Sequence, residues 1–101
     1  MQLRLAILIK LIMILFLYRI LHELMHAVGF WHEQSRPDRD QYVKILTHNI
    51  IEKEKDNFHK YRFSESNFVG YYDYCSIMHY ELDAFSKYKG LKTIQIKRPI
   101  W

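Results

Sequence analysis

The sequence contains few of the residues that crosslink or interrupt a small protein. Its one cysteine, Cys75, excludes a disulfide framework within the chain, and we interpret it as a small, half-buried residue. Two prolines and three glycines among 101 residues exclude collagen-like and low-complexity classes. Half of the residues are hydrophobic, which excludes a natively disordered chain. The length suits one small domain or a piece of a larger one.

Acidic residues are outnumbered by basic ones, which leaves a formal net charge of +4. A nucleic-acid-binding protein usually combines such charge with a recognisable motif, and none accompanies it here. We therefore expect no nucleic-acid partner. The excess is spread over both ends of the chain, at Arg4, Lys10, Arg19, Lys87, Lys89, Lys92, Lys97 and Arg98.

The N-terminal segment is strongly apolar, but Lys10 interrupts it. Arg4 and the stretch Leu5–Leu17 resemble the basic start and apolar middle of a signal peptide, although no small-residue cleavage site follows. A helix that crosses a membrane needs about 20 apolar residues, and the uninterrupted run Leu11–Tyr18 is shorter than that. The segment therefore matches neither class fully.

We predict one helix over Leu11–Val28, buried on most sides. Residues 1–19 would be an apolar segment that continues into this helix, and we do not expect a membrane partner. Two alternatives stay open. The segment could insert into a membrane, or the N-terminus could be foreign to the native protein.

After Gly29 the pattern changes from helical to short and irregular. Gly29 suits the end of a helix, and Pro37 bars a helix from continuing through the turn that follows. We therefore predict an α+β chain with one long helix and an irregular C-terminal part. The elements predicted there are a strand at Tyr42–Ile45, a helix capped by Asn49 and running to Asp56, an irregular packed loop over Tyr61–Tyr74, and a strand at Lys92–Ile96.

His22 and His26 lie four residues apart in the predicted helix. Positions four apart share one helix face with Cβ atoms about 5–6 Å apart, so two imidazoles there can converge on one cation. Neutral imidazole binds zinc, and also copper, iron and nickel. Glu23 points beside the pair, which suits a base acting on a metal-activated water better than a ligand.

A third histidine completes the pattern. Catalytic zinc is usually held by three protein ligands with one position left open. His32 lies too far along the chain to share the helix face of His26. Gly29 falls midway between them, where a residue that can adopt positive φ lets the chain turn back. The full spacing H-E-x-x-H-x-x-G-x-x-H is a strong match to a zinc-binding signature.

These residues carry a family resemblance. The stretch HELMHAVGFWHEQSRPDRD, His22–Asp40, resembles the signature of the astacin family of zinc endopeptidases, within the metzincins. A second block, SIMHY at Ser76–Tyr80, resembles the Met-turn of that family. The resemblance implies a partial zincin-like catalytic domain over residues 20–101. In it, a long active-site helix would precede an irregular C-terminal subdomain that contains the Met-turn.

The resemblance also implies roles for the residues of the first motif and for one tyrosine. His22, His26 and His32 would be ligands of one zinc ion. Glu23 would be the general base that activates water. Tyr80 would be a further zinc-contacting phenol that stabilises the tetrahedral intermediate.

Two other residues acquire expected positions from the resemblance. Met78 would lie in the turn beneath the metal. Glu33 matches the residue that meets the mature N-terminus in activated family members. Glu33 also belongs to a charged group that we interpret as a structural ion-pair cluster, made of Glu33, Arg36, Asp38, Arg39 and Asp40.

The resemblance is incomplete in ways that bear on function. The family's substrate-binding sheet, pro-segment and final helix have no counterpart among these residues, so Glu33 has no obvious partner. We predict a secreted or extracellular zinc-dependent endopeptidase acting on proteins or peptides, with the oligomeric state open. The alternatives are a catalytically inactive zinc-binding fragment or truncated gene model, and a membrane-attached peptide built around residues 1–21.

Overall fold

The longest element is an N-terminal helix. The computed structural model describes residues 2–65, 68 and 70–98. Helix α1 spans Gln2–Ala27 and so begins well before the predicted start at Leu11. No proline or glycine lies within it, and leucine, methionine and alanine are good helix formers. The chain therefore has no local reason to delay the helix until Leu11.

The predicted end of α1 at a glycine is confirmed. Gly29 has a φ of 103°, a conformation that residues with a Cβ rarely adopt. Its N–H donates to the carbonyl of His26 at 3.0 Å, and the N–H of Phe30 donates to the carbonyl of Met25 at 2.9 Å. This pair of bonds is the Schellman arrangement. It reverses the chain and lets His32 return toward the helix.

The prediction that this helix is buried on most sides is wrong. No residue of α1 is buried, and Leu3 and Phe16 are 75% and 67% exposed. The rest of the described chain adjoins only the C-terminal part of α1, where Tyr18 and His22 share a cavity with Ile77. Helix α1 is long and apolar enough to cross a membrane, with a mean hydropathy of 2.2 in its candidate span. Signal sequences and the core helices of soluble proteins can have the same length and composition.

Two short strands hold the remainder of the chain together. Strands β1 (Val43–Ile45) and β2 (Ile94–Ile96) pair antiparallel, with Val43 opposite Ile96 and Ile45 opposite Ile94. Both fall where strands were predicted. The described part of Tyr61–Tyr74 contains neither helix nor strand, as predicted. Segments of 3-10 helix occur at Glu33–Ser35, Arg39–Gln41, Thr47–Asn49 and Glu52–Phe58.

Two residues lie in surroundings different from those predicted. Asn49 does not cap a helix, because Ile51 occupies the N-cap of the 3-10 segment and no side chain caps it. The Asn49 amide instead donates to the carbonyl of Lys92 at 2.8 Å, a distant contact that the local pattern could not reveal. Cys75 is exposed, not half-buried, because it lies in a surface turn where its N–H donates to Asp73 Oδ1 at 2.9 Å.

A small core lies behind the sheet. Val43, Ile50 and Ile94 are fully buried there, with Phe58 and Tyr72 packed against them. Fully burying one such aliphatic or aromatic side chain stabilises the fold by about 1.5–3 kcal/mol. We call residues 30–98 the body. Because its described core consists of few buried side chains, each of them contributes appreciably to the stability of the body.

Arg36 organises the predicted ion-pair cluster. Its guanidinium bonds both carboxylate oxygens of Asp38 at 2.9 Å and Glu33 Oε1 at 3.1 Å, and it donates to the carbonyl of Gly70 at 3.0 Å. Arg36 is only 5% exposed, so these contacts replace the water that its charge has lost. The cluster therefore ties the segment after His32 to the loop at Gly70.

Arg39 and Asp40 form the second half of the cluster. Asp40 accepts from Arg39 at 3.1 Å and from Lys60 at 2.7 Å. Arg39 also donates to the carbonyls of Gln34 and Phe58. All five charged residues thus form ion pairs, in one group around Arg36 and another around Asp40, which agrees with their structural interpretation from sequence.

Candidate metal centre

Three histidine side chains converge beside the C-terminal end of α1. His22 and His26 come from successive turns of the helix, and His32 comes from the extended segment after the glycine turn. The Nε2 atoms lie 3.1 Å apart for His22 and His26, 3.2 Å for His22 and His32, and 3.2 Å for His26 and His32. The spacing of the motif had predicted this convergence.

The other ring nitrogen of two of these histidines determines their tautomer. His22 Nδ1 lies 2.8 Å from the carbonyl of Ile77, and His26 Nδ1 lies 2.9 Å from the carbonyl of Phe30. Because a carbonyl oxygen only accepts, each Nδ1 carries the proton in the neutral ring. In this tautomer the Nε2 lone pairs of His22 and His26 face each other.

This donor set fits a zinc ion. Three ligands at about 2.0–2.1 Å from a tetrahedral centre lie about 3.3 Å from one another, close to the spacing found here. Burial, followed by the neighbouring His26 and His22, lowers the pKa of His32 to about 4. A ring with that pKa is neutral near pH 7, as a metal-binding imidazole must be.

Glu23 lies beside the triad and not within it. It follows His22 on α1 and is exposed. A cavity of about 700 Å³ has His22 and Glu23 on one wall and Ile77, Tyr80 and Phe85 on the other. Among the described residues, Glu23 has no ion-pair partner. Its carboxylate is therefore open to the space next to the imidazoles.

Met78 and Tyr80 each share a cavity with residues of the triad and of α1. Met78 is 2% exposed, and its carbonyl accepts from the N–H of Glu33 at 2.9 Å. The Tyr80 ring lies 4.6 Å from the His32 ring, centroid to centroid. Burial, and then the nearby Glu54 and Tyr61, raise the pKa of Tyr80, so its phenol keeps its proton near neutral pH.

Glu33 has one partner within the predicted ion-pair cluster and one that sequence reasoning did not find. Its Oε1 accepts from Arg36 at 3.1 Å and from the backbone N–H of Asp73 at 2.9 Å. The ion-pair cluster predicted from sequence already includes Arg36, three residues away. A pattern read along the chain could not have suggested Asp73, because no local signal links a carboxylate to a backbone amide 40 residues later.

The backbone carbonyls that orient the triad were also missed. Ile77 and Phe30 accept these hydrogen bonds through their backbone carbonyls, so their side-chain types could not indicate this role. His79 and Gln34 were missed as well, although both make hydrogen bonds to the backbone of Tyr80. For these two residues, the sequence offered one clue: His79 directly precedes Tyr80 in the block SIMHY.

Comparison with known proteins shows the family of this chain. The family model described as Astacin, a family of peptidases, matches residues 17–100. Zinc metalloproteinase nas-8 of Steinernema carpocapsae is 51% identical over 80 residues, which cover 78% of this chain and 19% of that protein. Zinc metalloproteinase dpy-31 of Caenorhabditis elegans is 54% identical over 76 residues, covering 74% and 13%.

A solved structure shares the fold. High choriolytic enzyme 1, a hatching enzyme zinc-protease from the medaka Oryzias latipes, superposes with a TM-score of 0.71 at 48% identity, over 77% of this chain and 38% of that one. The class defined by these relatives is that of zinc metalloproteases, with zinc as the cofactor. The chain belongs to the astacin family of peptidases. It spans less than one fifth of the length of either curated relative named above, 19% of one and 13% of the other.

Proposed function

We propose that residues 20–101 are part of an extracellular zinc endopeptidase that hydrolyses peptide bonds in proteins. The observation that carries this proposal is the convergence of three imidazole Nε2 atoms within 3.2 Å of one another. Family membership supports protein or peptide substrates. The apolar α1, whose composition is compatible with a signal sequence, supports an extracellular location.

His22, His26 and His32 would hold the zinc. When bound, the ion polarises a peptide carbonyl and lowers the pKa of water. The carbonyls of Ile77 and Phe30 keep His22 and His26 in the tautomer that presents Nε2. Met78 would occupy the Met-turn, since it is buried and its carbonyl accepts from the N–H of Glu33 in the segment that follows His32.

Glu23 would be the general base. Its carboxylate would take a proton from the attacking water and deliver it to the leaving amine. Its place beside His22, on the wall of the 700 Å³ cavity, supports this role. The absence of an ion-pair partner among the described residues also supports it, because a paired carboxylate is a weaker base.

Tyr80 would donate a hydrogen bond to the oxyanion that develops on the substrate. A phenol with a raised pKa retains the proton that it needs as a donor. The packing of its ring against His32 keeps it on the triad side of the cavity. This position supports a role close to the metal.

The test compares the chain with Glu23→Gln in cleavage of a quenched peptide, with and without added zinc. We expect the substitution to lower kcat by about 10²–10⁴-fold while zinc still binds, because it removes the base but preserves the size of the side chain. Glu52→Gln is the matched control, since Glu52 is an exposed carboxylate away from the triad, and cleavage should not change.

The second candidate is a catalytically inactive zinc-binding fragment. The uncovered apolar surface of α1 beside the cavity favours it, because a working cleft excludes water from the reacting groups. Stoichiometric zinc binding without zinc-dependent cleavage would support this candidate. Equal cleavage by the chain and by Glu23→Gln would contradict the role of Glu23.

A further inference from the structure

Gln34 is a buried amide in an unusual situation. It is fully buried, and its Oε1 accepts from the backbone N–H of Tyr80 at 2.9 Å. Its Nε2 is buried without a hydrogen-bond partner among the described residues. An unpaired buried N–H donor is costly, and an apolar side chain of similar size would avoid that cost. The bond from Tyr80 to Oε1 is therefore the feature that a glutamine supplies here.

His79 holds the other backbone group of the same residue. Its Nδ1 lies 2.6 Å from the carbonyl of Tyr80, so this nitrogen donates. Its Nε2 lies 2.7 Å from the hydroxyl of Tyr72, which must then donate to the ring. Burial raises the pKa of Tyr72, which keeps that hydroxyl protonated.

Tyr72 anchors this chain of bonds in the core. It is 7% exposed and stacks on Tyr42 at 4.8 Å with an interplanar angle of 9°. The hydrogen bonds thus run from a stacked aromatic pair, through His79, to Tyr80. Gln34 reaches Tyr80 from the other direction, from the segment that directly follows His32.

Tyr80 has no regular secondary structure to hold it. It lies between a turn and a loop, outside both strands. Its N–H and its carbonyl are instead both bonded to side chains, those of Gln34 and His79. Small displacements of a reacting group are costly to an enzyme, so a residue in such a segment benefits from fixed supports.

We propose that Gln34 and His79 are positioning residues that fix the backbone of Tyr80 at both its N–H and its carbonyl, and thereby keep the phenol beside His32. The use of that phenol in hydrolysis rests on the proposed function. The placement of its ring does not, and the two are tested separately.

Ring placement is measured by the proton shifts of the His32 imidazole in the zinc-loaded chain, with labelled histidine. Tyr80→Leu defines the shift that is lost when the aromatic ring is absent. We expect Gln34→Leu and His79→Phe to move the His32 signals at least about halfway to that value, since a ring centred 4.6 Å away strongly affects them. Signals that stay at the wild-type position in both variants would overturn the proposal.

Conservative variants separate positioning from general damage. Gln34→Glu keeps an acceptor for the N–H of Tyr80, and His79→Asn keeps a donor near Nδ1, so both should restore most of the wild-type shift. Asn49→Leu is the matched control, because it removes an amide bond to the distant carbonyl of Lys92 and should leave His32 unchanged. If Gln34→Leu fails to fold, amide exchange at Tyr80 in the wild-type chain decides instead: slow exchange supports the bond to Gln34, and fast exchange overturns it.

The kinetic test asks whether the two supports act through Tyr80. We expect Gln34→Leu to lower kcat about tenfold with little change in KM, and to add less than about twofold in a Tyr80→Phe background. Equal losses in both backgrounds would overturn action through Tyr80. A chain that does not cleave peptide contradicts the proposed function, whereas the His32 shifts still decide the placement of the ring.

Discussion

The N-terminal part of α1 and the body are both rich in apolar side chains, but only the body buries them. Phe16, in α1, is 67% exposed, and Phe58, in the body, is 4% exposed. The helix is held by local bonds along its own backbone, whereas the body is held by contacts between segments far apart in sequence. An apolar side chain therefore stabilises this chain only where a second segment covers it.

The largest expected effect comes from truncating a phenylalanine in each region. Phe58→Ala should reduce the free energy of unfolding of the body by about 3–5 kcal/mol, because it removes a buried ring and leaves a cavity. Phe16→Ala should change it by less than about 0.5 kcal/mol, because the ring is already in solvent. Urea unfolding followed by tryptophan fluorescence measures both. Equal losses would mean that α1 is covered in solution.

Removing Arg36 should have the next largest effect. Arg36→Met should destabilise the body by about 3 kcal/mol, because Glu33 and Asp38 would lose the charge that neutralises them in a largely buried setting. Arg4→Met is the matched variant in the exposed helix, and we expect no measurable change. Thermal unfolding of both proteins measures the difference, and a stable Arg36→Met chain would show that the carboxylates find other partners.

Zinc would join the two regions, since α1 carries two of the proposed ligands and the segment after Gly29 carries the third. We expect zinc at about 100 times its Kd to stabilise the folded chain by about 2.7 kcal/mol, and chelation to reverse this. His26→Ala should abolish the effect because it removes one ligand. His48→Ala, an exposed histidine outside the triad, should retain it. Calorimetry with and without chelator distinguishes these outcomes.

The smallest effect is expected at the junction of the two regions. Gly29→Ala should cost about 1–2 kcal/mol, because a Cβ disfavours the φ of 103° found there. The cost is one of backbone conformation alone, since no atom within 4 Å would meet the new Cβ. Gly29→Asn should cost less, as asparagine tolerates left-handed backbone better. Zinc titration would detect a displacement of His32 as a weaker zinc affinity. If Gly29→Ala left both zinc affinity and stability unchanged, the turn would not require the positive φ of Gly29.

The features of this structure that could be predicted are those that depend on the spacing of residues close together in sequence. The helix face shared by His22 and His26, the turn at Gly29 and the two short strands all follow from patterns of a few residues. The exposure of α1 was not predictable, because hydrophobicity does not report what covers a segment. The bond between Gln34 and Tyr80 joins residues 46 apart, and no periodicity links them. The prediction that Asn49 caps a helix was wrong for the same reason, because its amide bonds to the distant carbonyl of Lys92.

The carbonyl of Ile77 that accepts from His22 has a consequence for how this chain tolerates mutation. Every amino acid supplies a backbone carbonyl, so this support for the triad is encoded in the path of the chain and not in the identity of residue 77. A saturation scan should find that conservative replacements at this position retain metal binding. Insertion or deletion of a single residue between Ser76 and Met78 should abolish it, because either change moves the carbonyl away from the imidazole.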